Sequence, residues 1–423
     1  MHHFAYRNGR LHCEEVALAE IAEAVGTPAY VYSAGTFEHH ISVFREAFAP
    51  RDVLIAYAVK ANANVAVLAT LARLGVGADT VSAGEIKRAL AAGIPPGRII
   101  FSGVGKTPSE IAFALEVGLR QINVESPSEL VDVAAAAQAR GKAAPVALRV
   151  NPAIGAGGHD KIATGAAEAK FGVSAQEAVR LYAEAAANPW LEPQGLAIHI
   201  GSQIRDLGPL RQAFERLRAM TQTLREEGFP VLRLDLGGGL GVPYFNEPEP
   251  PHPKAYAAMI EEVFKGLDVD LAFEPGRLIA ANAGVLITRV IRRQPRPHRD
   301  IVVLDAAMND LIRPAMYDAY HDLWLVDEPQ EGHPTERVDL VGPVCETSDT
   351  FARDRAMPVL APGALAAFMS AGAYGATMAS TYNARTLVPE VLVSGNRFAV
   401  VRKGQPVEAQ IAMETLPPWL NER

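Results

Sequence analysis

The amino-acid sequence predicts an α/β protein, a TIM (β/α)8 barrel followed by a mostly β C-terminal domain. Three observations carry that prediction. Between residues 53 and 273, eight short apolar runs alternate with amphipathic stretches of helical spacing, the order that builds a parallel barrel. After Glu274 the helical periodicity fades, and short β-prone runs follow between Pro- and Gly-rich turns. Polar and ionisable residues recur at the carboxyl ends of the eight runs, where barrels of this kind keep their active sites.

At 423 residues the chain exceeds one ordinary core, so two domains are expected. Phe4–Arg7 and Leu11–Cys13 flank Asn8-Gly9 and read as a hairpin with a two-residue turn. Val16–Val25 has helical spacing and stops at Gly26, and Ala29–Tyr32 is another short strand. The eight runs are Leu54–Val59, Val76–Val81, Arg98–Phe101, Gln121–Val124, Val146–Val150, Leu196–Ile200, Leu232–Leu236 and Leu271–Phe273. Helices are predicted at Ala83–Ala92, Ser109–Val117, Ser128–Ala139, Ala175–Ala187, Leu210–Glu227 and Lys254–Phe264. Asn64 stands where it can cap a further helix that buries Val67, Leu68 and Leu71,. An open doubly wound sheet is the runner-up, but it normally uses fewer strands before its switch point. Val285–Ile291, Ile301–Leu304, Arg337–Val341, Val391–Val393 and Arg397–Val401 read as the strands of the second domain. The N-terminal hairpin is expected to join their sheet, because a lone hairpin is marginal in water. Arg292 to Arg299 reads as a solvated loop. The expected division is residues 1–28 packing with the β domain, 29–276 as the barrel, and 277–423 as the β domain.

Composition excludes several classes. The chain is 49% hydrophobic and 21% charged, as soluble globular proteins are. A net charge of −8 without a basic block argues against nucleic acid as a partner. No apolar run is long enough to span a membrane, and the N-terminus lacks a signal pattern,. Two cysteines, Cys13 and Cys345, do not make a disulfide framework and fit a reducing cytoplasm.

The chemistry centres on Ala56-Tyr57-Ala58-Val59-Lys60-Ala61-Asn62. Lys60 lies where a buried strand stops and a helix is about to begin. A lysine there either snorkels at a strand end or offers a desolvated amine for a Schiff base. The other strand ends decide for chemistry. Asp79 and Ser82 close the second run, Arg149 and Asn151 the fifth, and His199, Gly201 and Ser202 the sixth. Asp235 and the glycines Gly237, Gly238 and Gly239 close the seventh, and Glu274-Pro275-Gly276-Arg277 the eighth. Glycines let backbone N–H groups approach an anion closely, and barrels often hold phosphate near the last two strand loops. Ser202 can donate to the same phosphate. His199 offers a flat ring for stacking or a proton, and Glu274 a carboxylate for a protonated ring nitrogen. Together these features describe a pyridoxal 5'-phosphate site.

Five motifs in this order and spacing resemble those of the diaminopimelate decarboxylases: Tyr57 to Asn62, His199 to Ile204, Gly237 to Gly239, Glu274 to Arg277, and Cys345-Glu346-Thr347. That family belongs to the alanine-racemase-like, fold-type III class of pyridoxal-phosphate enzymes, and the likeness runs from about Tyr30 to Asn383. The resemblance implies that meso-2,6-diaminopimelate is decarboxylated to L-lysine, the last step of lysine biosynthesis, by a cytoplasmic homodimer with shared active sites. It implies that Lys60 holds the cofactor and His199 stacks on its ring. Asp79 lies near the ring, and Glu274 keeps the ring nitrogen protonated. Ser202, Gly238, Gly239, Gly276 and Tyr374 bind the phosphate. Arg277, Arg313 and Tyr317 take the distal carboxylate of the substrate. From the partner subunit, Glu346 takes the distal ammonium and Cys345 supplies the proton that replaces CO2. Bottom-up chemistry agrees, since arginine suits a carboxylate by its planar fork and glutamate an ammonium by its charge.

Three alternative readings compete with this one. A decarboxylase of the same fold acting on ornithine, arginine or a carboxylated polyamine needs no distal arginine, against Arg313, Tyr317 and Glu346. A racemase needs a second base opposite Lys60, and no tyrosine is clearly placed for it, with Tyr374 left open. A non-catalytic homologue should lack the lysine, the ring-pairing acid or the cysteine, and this chain keeps all three. Two departures from the family pattern concern loops. Gly158-His159 stands before Lys161 where the family often has Thr-His, and Thr386 follows Arg385 where the family often has proline.

Overall fold

The computed structural model describes residues 2–155, 164–165, 169–244 and 248–420. They group into two compact units. One comprises the chain up to Thr36, Tyr244, and Asn282 onward; the other runs from Phe37 to Pro243 and through 248–281.

The chain opens with β1 (Phe4–Arg7), β2 (Arg10–Cys13), β3 (Val16–Ala17), α1 (Leu18–Val25) and β4 (Ala29–Ser33). The expected hairpin is present, with Phe4 opposite Cys13. It does not join the main sheet of its unit. β3 adds to β2 instead, giving a separate three-stranded sheet. Side chains anchor it: Phe4, Leu11, Cys13 and Val16 share one core with Val285, Ile287, Val391 and Val393. A third strand and that core remove the need for edge pairing.

The barrel unit contains α2 (Ala34–Phe48, most of it), β5 (Leu54–Ala58), α3 (Val65–Arg73), β6 (Gly77–Thr80), α4 (Ala83–Ala91), β7 (Ile99–Phe101), α5 (Pro108–Val117) and β8 (Gln121–Val124). It continues with α6 (Pro127–Arg140), β9 (Ala144–Val150), α7 (Ala175–Ala187), β10 (Leu191–Ile198), α8 (Leu207–Glu226), β11 (Arg233–Asp235), α9 (Pro253–Val263), β12 (Asp270–Phe273) and α10 (Arg277–Ala280). The strands close in the order β5 to β12, with β12 parallel to β5. All eight predicted runs are these strands. Several helix starts have a local cause. Ser82, Thr107, Ser126 and Ser174 each accept the N–H of a glutamate three residues on, satisfying amides that the helix leaves open. Ser82, one of the strand-end polar residues, is therefore used as a cap. Leu54, Ala56, Ile100 and Ala272 form a small apolar cluster, small enough to leave the interior above it to polar side chains.

The other unit continues with β13 (Gly284–Gln294), β14 (Asp300–Leu304), α11 (Arg313–Tyr317), β15 (Leu323–Leu325), β16 (Thr335–Val341), β17 (Thr350–Pro358), β18 (Leu365–Phe368), β19 (Glu390–Ser394), β20 (Arg397–Arg402) and α12 (Val407–Ile411). The main path of its nine-stranded sheet runs β17-β16-β14-β13-β4-β19-β20. β4 lies between β13 and β19, so Ala29–Ser33 is a sheet strand of this unit, although the sequence division counts residue 29 with the barrel. The expected loop from Arg292 is also shorter. Arg292, Arg293 and Gln294 end β13, where Arg293 pairs with Asp300 at 2.6 Å and with Glu336 at 2.5 Å. Two acids explain why an arginine-rich stretch continues a strand here.

Candidate active site

β5 ends at Ala58, and Lys60 sits in the short 3-10 turn Val59–Ala61. Val59 and Ala61 are buried, while the Lys60 side chain keeps 39% of its surface. Asn64 accepts the N–H of Ala66 at 2.9 Å and starts α3. β5 and β6 pair with Ala58 opposite Asp79, which brings Lys60 Nζ within 3.2 Å of Asp79 Oδ2. Asp79 is buried, and among the described residues its Oδ1 has no hydrogen-bond partner. A buried carboxylate oxygen left so costs free energy unless something else pairs with it.

The glycine loop follows β11. Asp235 Oδ1 accepts the Gly237 N–H at 3.0 Å, and Gly237 and Gly239 take φ of +64° and +113°. A Cβ on Gly237, Gly238 or Gly239 would overlap the carbonyl oxygens of Ile198, Glu274 and Gly201 respectively. The glycines thus let the loops after β10, β11 and β12 pack backbone on backbone, beyond the anion approach expected of them. The Gly238 N–H donates to His199 Nδ1 at 3.2 Å, so the neutral ring carries its hydrogen on Nε2. Burial first, then the nearby Lys60 and Arg149 cations, hold this imidazole well below the usual histidine range,. A neutral ring pinned at one edge suits stacking better than giving up a proton. Arg277 Nε and Nη2 each lie 3.2 Å from Ser202 Oγ, adding a guanidinium beside the hydroxyl. Gly276 immediately precedes it, at the start of α10.

Glu274 is buried at the end of β12. Burial, then the charges of Asp235 and Asp79, push its carboxyl well above the usual range, while Lys60 opposes them. Ser102 Oγ donates to Glu274 Oε1 at 3.3 Å. Behind it, Asn123 Nδ2 donates to Ser102 Oγ at 3.1 Å and to Asp235 Oδ2 at 3.0 Å. Sequence reasoning missed Ser102, Gln121 and Asn123. Their signal is the alternation of Gln121 and Asn123 with Ile122 and Val124, which sends both polar side chains to one face of β8. Arg149 had no assigned role. Its Nη1 pairs with Glu125 Oε1 at 2.8 Å, and the same oxygen accepts the Gly103 N–H at 2.7 Å.

In the other unit, Arg313 is buried and donates to Tyr244 Oη at 3.1 Å and to His321 Nε2 at 2.9 Å. His321 Nδ1 in turn donates to the Met369 carbonyl at 2.9 Å. Tyr317 is half-buried at the last residue of α11. Cys345 and Glu346 are exposed in the turn after β16. The Cys345 N–H donates to Asn383 Oδ1 at 3.0 Å. Hydroxyls of Ser348 and Tyr382 hold the Glu346 carboxyl below its usual range. Tyr374 is half-buried with φ +56°. The loop at His159 to Lys161 lies outside the described residues. Lys60, Asp79, His199, Ser202, Gly238, Gly239, Glu274, Gly276 and Arg277 thus converge at one end of the barrel, while Arg313, Tyr317, Cys345, Glu346 and Tyr374 belong to the β unit.

Residues 34–281 match the family model of the pyridoxal-dependent decarboxylase, pyridoxal binding domain, which sets the class as a pyridoxal-phosphate-dependent decarboxylase. Over its full length the chain is similar to the diaminopimelate decarboxylase of Zymomonas mobilis, 50% identical over 99% of both chains. Its structure is similar to diaminopimelate decarboxylase from Helicobacter pylori complexed with L-lysine, with a TM-score of 0.90 and 41% identity over 94% of this chain and 98% of that one. It is likewise similar to the M. jannaschii enzyme in co-complex with L-lysine, with a TM-score of 0.93 and 35% identity over 99% and 98%. The chain belongs to the diaminopimelate decarboxylase family. Its barrel end fits the cofactor of that class. It offers an amine at Lys60, a cation and hydroxyl beside the glycine loop, a buried acid at Glu274 and an unpartnered oxygen on Asp79.

Proposed function

We propose that this protein removes CO2 from meso-2,6-diaminopimelate and releases L-lysine, with the reaction centred on Lys60. The observation that carries the reading is the convergence at one barrel end of Lys60, paired with Asp79 at 3.2 Å, with Glu274, His199, Ser202 and Arg277. Pyridoxal phosphate supplies the electron sink for the pair left behind when CO2 departs. The chain's residues do the rest. Lys60 attaches the cofactor, and Asp79 faces that amine. His199, neutral and pinned through Nδ1, stacks against the ring. Ser202, Gly238, Gly239, Gly276, Arg277 and Tyr374 hold the phosphate. Glu274 keeps a proton at the ring nitrogen by its charge.

The far end of the substrate carries one carboxylate and one ammonium. Arg277, Arg313 and Tyr317 bind the carboxylate. Neutral His321 holds Arg313 in a fixed orientation, which spares part of the cost of ordering it on binding. Glu346, an ionised acid in an exposed turn, binds the ammonium, and Cys345 gives the proton that replaces CO2. Both enter the site of a partner subunit in a homodimer. Exposure of the two side chains at a surface turn supports that reading. The enzyme works in the cytoplasm; among the described residues no helix is long and apolar enough to cross a membrane.

The test is substrate choice. Loaded protein given meso-diaminopimelate, ornithine and L-lysine in parallel should form lysine and CO2 from the first and leave the other two essentially unchanged. Preferred turnover of ornithine would overturn the assignment of Arg313 and Glu346 to the distal end.

A further inference from the structure

Cys345 and Glu346 are exposed in the turn between β16 and β17, where water can satisfy a backbone. The turn is nevertheless fixed amide by amide. The Val344 N–H donates to Asp349 Oδ2 at 2.6 Å, the Cys345 N–H to Asn383 Oδ1 at 3.0 Å, and the Glu346 N–H to the Val344 carbonyl at 2.8 Å. The Asp349 N–H returns to the Glu346 carbonyl at 3.0 Å, and Ser348 Oγ donates to Glu346 Oε1. Asp349 is buried, and its Oδ1 accepts the Met308 N–H at 2.7 Å. Of the acceptors for these three successive amides, only Asn383 comes from outside the turn. Its backbone makes it an unusual choice. With φ +57° and ψ +29° it lies in the left-handed region, which glycine enters freely and other residues seldom do. Asparagine tolerates that region and brings a side-chain oxygen that glycine lacks. Among the described residues its side chain makes one hydrogen bond, the one from Cys345. The segment around it is anchored on both sides. The Ser380 N–H donates to the Asn309 carbonyl at 2.9 Å, Arg385 Nε to Asn309 Oδ1 at 2.9 Å, and Arg385 Nη2 to the Asp305 carbonyl at 2.6 Å. Asn309 follows Met308, so adjacent residues hold the turn and the segment that latches it.

We propose that Asn383 is a positioning residue for the reaction: its side-chain oxygen fixes the Cys345 amide, so that the thiol of Cys345 and the carboxylate of Glu346 are presented in one arrangement. Groups ordered before the substrate arrives cost less to order on binding and in the chemical step. This rests on the reading of Cys345 as the proton donor and Glu346 as the partner of the distal ammonium.

The test is Asn383→Gly in the loaded, full-length protein. Glycine accepts the left-handed backbone, so the substitution removes the oxygen and spares the fold. Hydrogen exchange, read by mass on the peptide holding Cys345, should show one amide faster than in the wild type. KM for meso-diaminopimelate should rise through Glu346 and kcat should fall through Cys345, each by roughly 2- to 10-fold, the worth of one hydrogen bond. A loss of folded protein alone would lower kcat and leave KM unchanged. Wild-type KM and kcat in Asn383→Gly overturn the proposal. So do altered constants with the Cys345 amide exchanging as in the wild type. The wild type also tests it without any variant, because a Cys345 amide that exchanges as freely as an open turn overturns it. Cys345→Ala and Glu346→Ala proteins that turn over like the wild type would instead overturn the reading of those two residues.

Discussion

Gly238→Ala tests whether the glycine loop is a built cradle or a permissive turn. The added methyl would overlap the Glu274 carbonyl oxygen and lie 3.0 Å from the carbon of the same carbonyl. Both atoms are backbone, so no side chain can swing aside. Either the loop after β11 or the end of β12 must move, and each carries a group assigned to the cofactor. Overpacking of this kind costs about 1–3 kcal/mol, which corresponds to roughly 5- to 150-fold weaker loading if the strain is relieved in the cofactor-free form. The assay is titration of cofactor-free protein with pyridoxal phosphate, alongside a melting temperature. Gly97→Ala is the control, because a Cβ there meets nothing within 4 Å and φ is not positive. A Gly238→Ala protein that loads as tightly as Gly97→Ala would refute the reasoning.

Three further outcomes follow from the same geometry. Glu274→Gln should keep the cofactor but lose decarboxylation by roughly 2–4 kcal/mol of transition-state stabilisation, read as kcat; an unchanged kcat would remove the acid from the ring nitrogen. Burial, outweighing the Val81 N–H and aided by Asp79, lifts the Glu85 carboxyl to about 7. The folded state therefore binds more protons than the unfolded one between about pH 4.5 and 7, so this group costs stability as pH rises through that window. Glu85→Gln should flatten that slope and raise stability at pH 8 by on the order of 1–3 kcal/mol, measured by denaturant titration at pH 4.5 and 8. Inactive Lys60→Ala and Glu346→Ala homodimers, mixed and allowed to exchange, should recover about a quarter of wild-type activity by the symmetry of a two-chain site; proven exchange without recovery would return Glu346 to its own subunit.

The barrel was legible because its strands are short, mostly buried and mostly apolar runs, and the helices α3 to α9 start at side-chain caps. The β unit was less so. Thr350–Pro358 reads TFARDRAMP and forms a strand at the sheet's edge, where one strand side lacks a partner and the faces tolerate charge. Leu365–Phe368 is four residues among turns, too short for periodicity to register. α2 was also not anticipated, since His39, His40 and Arg45 dilute its apolar face. In the site, single strand-end residues such as Lys60 and Glu274 stood out. The interior chain from Gln121 through Asn123 and Ser102 did not, because its meaning depends on hydrogen bonds across β7, β8, β11 and β12. Such pairings are set by barrel closure and leave no local pattern.

The most direct test of the account is where the cofactor is attached. Loaded protein is reduced with borohydride to fix the cofactor on its lysine, digested, and mapped by peptide mass. The account predicts the mass increase on the peptide containing Lys60, and none in Lys60→Ala. A modification on another lysine, with Lys60 unmodified, would contradict it.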